Sequence, residues 1–181
     1  MYTPKILFAL FLTLSFFQFS MANELLKIGG KTASGAIIMS SYQEGIAITK
    51  KYDKFGLVNE QGLEIITPRF DQIHAFQNGY AAVKQHGKWS FINKQGKKIA
   101  PCRYDWVGNF KNGFAPVQLN KKWGFINEQG IKICSIEFDA VQNFDSKQAL
   151  VRKGKNWYIL TSKGELKTVK GTIYSRIDEK A

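Results

Sequence analysis

Short runs in which apolar and polar residues alternate fill the chain from about residue 42 to residue 167. In one run, Ala81 and Val83 are followed by Trp89 and Phe91, again two positions apart. A period of two is typical of strands, and no stretch beyond the first 22 residues shows the spacing of an amphipathic helix. The pattern therefore predicts an all-β protein built from short antiparallel strands.

The pattern itself recurs every 34 residues without an insertion. A fixed period of this length predicts a tandem array in which each unit buries its apolar side against the next. The clearest columns are an aromatic one, Phe55, Trp89, Trp123 and Trp157, and a glycine one, Gly62, Gly96, Gly130 and Gly164. We assign the aromatic column to the core, because large aromatic side chains contribute heavily to burial; a stacking platform for sugars or bases is the alternative.

Tight turns are predicted to join three or four strands in each unit. A three-residue turn over 85–87 would place Val83 opposite Trp89 and keep lysine off the apolar face. The next turn begins with Asn93 and ends with Gly96, the order expected when a residue at positive φ closes the turn. We expect glycine in that column because a side chain there would be strained.

The columns define four repeats within residues 42–167, at about 42–76, 77–110, 111–144 and 145–167. Residues 23–41 are predicted to form an N-terminal cap and residues 168–181 a C-terminal tail or cap. Caps are expected because a repeat array leaves exposed sheet edges at its ends. We favour an open stack of meanders over a small closed propeller-like ring, since 34 residues allow four blade strands only if each is very short.

The first 22 residues differ in kind from the rest. Lys5 precedes an apolar run from Ile6 to Phe19, and the small residues Ser20 and Ala22 occupy the positions that a signal peptidase recognises. The run is shorter than the roughly 20 residues that a membrane-spanning helix needs. We therefore predict a signal peptide over residues 1–22, a mature chain without a transmembrane segment, and an exported protein that is periplasmic or secreted.

The repeated motif resembles the WG-repeat family of bacterial exported proteins. The residues that carry the resemblance are Lys122-Trp123-Gly124-Phe125-Ile126-Asn127, Gly130, Pro68-Arg69-Phe70-Asp71 and Asn78-Gly79-Tyr80-Ala81-Ala82-Val83. The resemblance implies an all-β repeat protein and brings no reaction with it. Ser90 and Tyr158 replace the glycine that follows the aromatic residue, so close packing is the expected reason for glycine there.

A strong positive charge favours anionic partners. Without residues 1–22 the chain has 25 basic and 14 acidic side chains, a net charge of +11. With the three-residue turn, Lys50 would oppose Lys54 and Lys84 would oppose Lys88, an arrangement that calls for solvation or an anionic ligand. The candidate binding residues are Lys50, Lys54, Lys84, Lys88, Lys122 and Arg152.

Residues that could perform catalysis do not converge in the sequence. His74 and His86 occupy non-equivalent positions of the array, so we expect a structural role for His74 and a solvated turn for His86. Asp71, Asp105 and Asp139 lie in different units beside turns, where aspartate usually accepts backbone hydrogen bonds. We therefore predict no catalytic residue, no metal and no cofactor.

Cys102 and Cys134 fall in the same segment of neighbouring repeats. Export would place them in an oxidising compartment, so a disulfide is permitted provided that their Cα atoms approach within about 7 Å.

These features together predict a non-catalytic binding or scaffolding module of the cell envelope. Its expected partner is a protein or an anionic envelope component, and nucleic acid is disfavoured because no binding motif for it is present. An envelope hydrolase and an inhibitor of a secreted enzyme remain as alternatives.

Overall fold

A computed structural model describes residues 27–145 and 147–169 of the 181-residue chain. The predicted signal peptide and residues 170–181 of the C-terminal tail lie outside this part. All regular structure in the described part is strand. The strands are β1 Ile37–Ile38, β2 Ile46–Lys51, β3 Lys54–Asn59, β4 Glu64–Phe70, β5 Gln72–Ile73, β6 Tyr80–Gln85, β7 Lys88–Asn93, β8 Trp106–Val107, β9 Phe114–Leu119, β10 Lys122–Asn127, β11 Ala140–Val141, β12 Gln148–Lys153, β13 Asn156–Thr161 and β14 Leu166–Thr168.

The described residues fall into two compact units, which divide between Ala75 and Phe76. In the first unit, β1 to β4 form an antiparallel sheet in the order β1-β2-β3-β4. The second unit contains the β6–β7 hairpin, a three-stranded sheet in the order β10-β9-β8, and a four-stranded sheet in the order β11-β12-β13-β14. The all-β prediction of repeated antiparallel units is therefore confirmed, and no closed barrel forms among the described strands.

The N-terminal cap residues that are described contribute β1 to the edge of the first sheet, where Ile37 pairs with Lys50. Glu64 anchors the loop before β1, because its Oε1 atom accepts hydrogen bonds from the Thr32 hydroxyl and, at 2.6 Å, from the Ser34 hydroxyl. These contacts hold residues 32–34 beside β4.

In the second unit, the segment after each β-hairpin makes backbone hydrogen bonds to two successive sheets. Trp89 donates its backbone N–H to Tyr104 at 2.8 Å, and two residues later Trp106 pairs with Gln118 of the following sheet. Trp123 and Phe138 repeat this arrangement before β11 pairs with β12. Each such segment therefore connects successive sheets through backbone hydrogen bonds.

The hairpin turn contains two residues, so the predicted three-residue turn was wrong. His86 and Gly87 have φ of 52° and 77°, and Lys84 lies opposite Trp89. Positive φ at both positions is the type I′ geometry, whose twist matches that of the flanking strands. The same register places Lys50 opposite Phe55, Gln118 opposite Trp123 and Arg152 opposite Trp157. The predicted pairs of opposing lysines, Lys50 with Lys54 and Lys84 with Lys88, do not form.

The alternation of apolar and polar residues led to a wrong hairpin register because sheets in the second unit are buried on both faces. Ala82, Trp89 and Phe91 pack in one cluster with Ala115 and Val117 of the following sheet. The cluster after it joins Phe125 with Ala149, Val151 and Leu160. The aromatic face of one sheet thus packs against the aliphatic face of the next sheet. Both faces of a strand can therefore carry apolar residues.

The two phenylalanines that follow the tryptophan column form the deepest part of these clusters. Phe91 and Phe125 are buried, and they meet Phe110 and Phe144 edge-to-face at centroid distances of 4.8 and 5.0 Å. Trp89 is also buried, whereas Trp123, Trp157 and, in the first unit, Phe55 are half-buried. The aromatic column therefore lies at the boundary between core and surface.

Two different constraints act on the repeated glycines. Gly62, Gly96, Gly130 and Gly164 all have positive φ, between 74° and 85°. A Cβ atom on Gly130 would in addition lie 2.0 Å from the Ile99 carbonyl oxygen of the preceding repeat. Gly124 has an ordinary φ, but a Cβ atom there would lie 2.9 Å from the Ile136 side chain, which explains glycine beside that tryptophan by packing.

Candidate functional site

Near each hairpin turn, a long polar side chain lies opposite an aromatic ring. We call these pairs the aromatic rows: Lys50–Phe55, Lys84–Trp89, Gln118–Trp123 and Arg152–Trp157. The Lys84 Nζ atom lies 5.5 Å from the centroid of a Trp89 ring, and the Lys50 Nζ atom lies 5.6 Å from that of Phe55. A ring at this distance attracts a cation electrostatically, and the lysine stem packs beside it.

Neither Lys50 nor Lys84 has a carboxylate partner among the described residues. Arg152 donates from Nη1 to the Gly154 carbonyl oxygen at 3.2 Å. The rings of two rows thus orient Lys50 and Lys84 without an ion pair, whereas the charge of Arg152 also helps to lower the pKa of Asp139.

The remaining predicted basic residues are engaged differently. Lys54 and Lys88 form ion pairs of 2.5 Å with Asp71 and Asp105, and Lys122 pairs with Asp139. In each case the partner lies 17 positions further along the chain. The structure therefore divides the six candidate residues into three lysines that are paired with aspartate and three cations that belong to aromatic rows.

Asp105 and Asp139 also contact the next hairpin turn. The second oxygen of each accepts a backbone N–H at 2.7 Å, from Asn120 and from Gly154 respectively. The hydrogen bond from Lys88 and then that from Asn120 lower the pKa of Asp105, and those from Lys122 and Gly154 lower the pKa of Asp139. The prediction that these aspartates accept backbone hydrogen bonds is confirmed for both.

Sequence reasoning missed Trp106, whose side chain is 50% exposed. It lies opposite Gln118 and meets Trp123 edge-to-face, with ring centroids 5.3 Å apart. The signal for it is a departure from the repeat, because Gln72 and Ala140 occupy the same column. Trp106 extends the third aromatic row to three residues and exposes a large apolar surface there.

Lys50 lies beside a second exposed apolar area, within the first unit. A depression of about 560 Å³ is lined by Gly35, Ile37, Met39, Lys50, Lys51 and Tyr52. Ile37 and Met39 are 42% and 49% exposed. The cation of this row therefore lies beside exposed apolar side chains and a second cation, Lys51.

The other candidate residues make no catalytic arrangement. Cys102 and Cys134 are free thiols, so the disulfide that the sequence permits is not formed in the structure, and burial raises the pKa of Cys134. His86 is exposed in its turn. No group of three or more histidine, cysteine, aspartate or glutamate side chains in the described ranges is placed to hold a metal ion. Nor does the part of the chain seen in the structure include a helix long and apolar enough to cross a bilayer.

Repeated antiparallel sheets with a common hairpin register define a tandem β-repeat protein. The family described as "WG containing repeat" matches three consecutive segments, residues 55–89, 89–123 and 123–157, which together exceed half of the chain. The chain belongs to this family. Each matched segment begins and ends at the aromatic column.

Solved structures give more distant matches. Kluyveromyces lactis Hsv2p is 14% identical over 71% of this chain and 48% of its own, with a TM-score of 0.40. Its variant with loop 6CD replaced by a Gly-Ser linker is 13% identical over 68% of this chain and 47% of its own, with a TM-score of 0.42. The N-terminal domain of Nup159 is 10% identical over 82% of this chain and 46% of its own, with a TM-score of 0.39. The chain spans about half the length of these solved chains. No protein with a curated description matches it.

Proposed function

We propose that this protein is a non-catalytic binding module of the cell envelope that binds an anionic polymer through the cations of its aromatic rows, Lys50, Lys84 and Arg152. The observation that carries the proposal is the contrast between two sets of lysines. Lys88 is paired with Asp105, whereas Lys84, four residues earlier, lies over an indole ring without a carboxylate partner among the described residues.

Location in the envelope rests on the predicted signal peptide and on the mature charge of +11. A basic excess of this size concentrates anionic polymers near the surface, and the aromatic rows supply short-range contacts. Lipopolysaccharide and peptidoglycan both carry the phosphate or carboxylate groups that lysine and arginine bind.

The hydrolase alternative would require converging carboxylates. Asp105 and Asp139 instead hold a lysine and a turn N–H each, an arrangement that supports a role in the fold. This favours binding over catalysis as the proposed activity.

Retention on purified envelope material tests the proposal. The chain from Asn23 onward is passed over immobilised lipopolysaccharide and, separately, over peptidoglycan sacculi, and the triple variant Lys50→Gln, Lys84→Gln, Arg152→Gln is compared with it. We expect the variant to lose at least about tenfold in affinity, as three surface charge contacts of about 0.5 kcal/mol each would imply.

The matched control replaces Lys97, Lys132 and Lys163 by glutamine, which removes the same charge from exposed positions away from the rows. It should bind as the unchanged protein does. Equal loss in both variants would mean that net charge alone is responsible, and unchanged retention of the row variant on both materials would refute the proposal.

A further inference from the structure

A second polar surface lies at the ends of the strands remote from the aromatic rows. In the second unit, a hollow of about 430 Å³ is lined mainly by amide side chains, and a smaller one of about 200 Å³ adjoins it. Asn143 lines both, and we call the two hollows together the amide groove. Its amide residues are Gln77, Asn78, Asn109, Asn112, Asn143, Gln142 and Gln148.

Part of the amide groove is fixed by hydrogen bonds that join residues 32 positions apart. Asn78 donates from Nδ2 to the Phe110 carbonyl oxygen at 2.9 Å, and Asn112 donates likewise to Phe144 at 3.0 Å. Asn109 donates from Nδ2 to Gln77 Oε1 at 2.6 Å. These bonds hold the donor side of three amides and leave their carbonyl oxygens available as acceptors.

Other amides in the groove have no internal partner. Asn143 is exposed, and its side chain makes no hydrogen bond to any residue that the structure describes. The same holds for the side chain of Gln142. Each of these amides can both donate and accept.

The groove carries little charge. Its only charged lining residues within the described part are Lys111 and Asp145. Asp145 Oδ1 already accepts the backbone N–H groups of Lys147 and Gln148, at 2.8 and 2.9 Å. Recognition in the groove would therefore depend on neutral hydrogen bonds, in contrast to the aromatic rows.

The 34-residue repeat does not require three of these amides, namely Asn109, Asn143 and Gln142. Asn109 and Asn143 occupy the column that holds Ala75 in an earlier repeat, and Gln142 occupies the column of Gly108. Asn78 and Asn112 share a column and make the same backbone contact, whereas the columns of Asn109, Asn143 and Gln142 accept other residue types, so the repeat itself does not explain these three amides.

We propose that the amide groove binds an uncharged, hydroxyl-rich polysaccharide chain. Each sugar hydroxyl both donates and accepts a hydrogen bond, which matches the paired donor and acceptor of an amide, and a volume of about 430 Å³ lies in the range of ligand sites. A peptide would be expected to pair with a free strand edge, whereas the polar groups here are side chains that mostly lie outside the strands. This site is distinct from the aromatic rows and goes beyond the proposed function.

Nuclear magnetic resonance titration tests this site. Chain from Asn23 onward, labelled with ¹⁵N, is titrated with cellohexaose, chitohexaose and, for comparison, a neutral decapeptide. We expect at least one of the two hexasaccharides to shift the side-chain amide signals of Asn109 and Asn143, and Asn143→Ala to weaken that binding by at least about tenfold.

Gln95→Ala removes an exposed amide from a turn elsewhere and should leave the titration unchanged. Lys84→Gln should also leave it unchanged, which separates this site from the aromatic rows. The proposal fails if neither hexasaccharide shifts these signals, if only the peptide does, or if Asn143→Ala, checked by thermal melting, titrates as the unchanged protein does.

Discussion

At the scale of single residues, the structure gives two lysines of one hairpin different electrostatic surroundings. Lys88 pairs with Asp105, and Lys84 lies over Trp89. Surface ion pairs contribute little on their own, but this one is joined by the Asn120 backbone N–H to the next repeat. The aspartate-paired lysines therefore contribute to the fold, and the proposed ligand contacts come from the cations of the rows.

Gly130 provides a residue-scale prediction. Gly130→Ala should destabilise the protein by about 3 kcal/mol or more, because a Cβ atom at φ 76° would also collide with the Ile99 carbonyl oxygen. Gly113 has a similar φ of 84° but open space around a Cβ atom, so Gly113→Ala should cost only about 1–2 kcal/mol. Urea unfolding of both variants measures the difference, and equal losses would contradict a contact between the repeats at Gly130.

At the scale of elements, aspartate connects one hairpin to the turn of the next. Asp105 accepts from Lys88 on β7 and from Asn120 in the β9–β10 turn, and Asp139 repeats the arrangement with Lys122 and Gly154. Together with the segments that serve two sheets, these bonds join successive repeats of the second unit at their polar ends.

This connection should make stability depend on pH. Since the pKa of Asp105 is lowered in the folded protein, the ionised carboxylate stabilises the fold above its ordinary pKa of 3.8, and that contribution disappears as the pH falls through the lower folded value. Asp105→Asn should therefore lower the Tm at pH 7, and the difference from the unchanged protein should shrink below pH 3.8. Asp53→Asn, the same charge change in an exposed turn, serves as the control; a Tm difference for Asp105→Asn that is independent of pH would contradict the ion pair.

Strand type and repeat period could be predicted from the sequence because both follow from recurring columns. The hairpin register could not, since the criterion of one apolar face fails where sheets such as β8–β10 are covered on both sides. The pairing of Lys88 with Asp105 follows from the bridge between their neighbours Trp89 and Tyr104, which the sequence does not reveal although both columns are visible in it. Trp106 was not predicted as a site residue because it differs from the residues at the equivalent positions of the other repeats.

At the scale of the whole molecule, a repeat protein of the WG type combines invariant packing positions with surface positions that vary between repeats. The invariant ones, such as the glycine column that includes Gly130, explain the fold. The varied ones, such as Trp106 and Asn143, supply the proposed contacts to ligands. Export, an envelope partner and the absence of catalysis are parts of the same proposal.

Two charge-matched double variants test the central claim most directly, namely that the aromatic rows bind and the aspartate-paired lysines stabilise. For Lys84→Gln with Arg152→Gln, and for Lys88→Gln with Lys122→Gln, the Tm and the retention on lipopolysaccharide and sacculi are measured side by side. The account predicts weaker retention with little change in Tm for the first variant, and a lower Tm with retention preserved below that temperature for the second. Equal effects of the two variants on both quantities would contradict it.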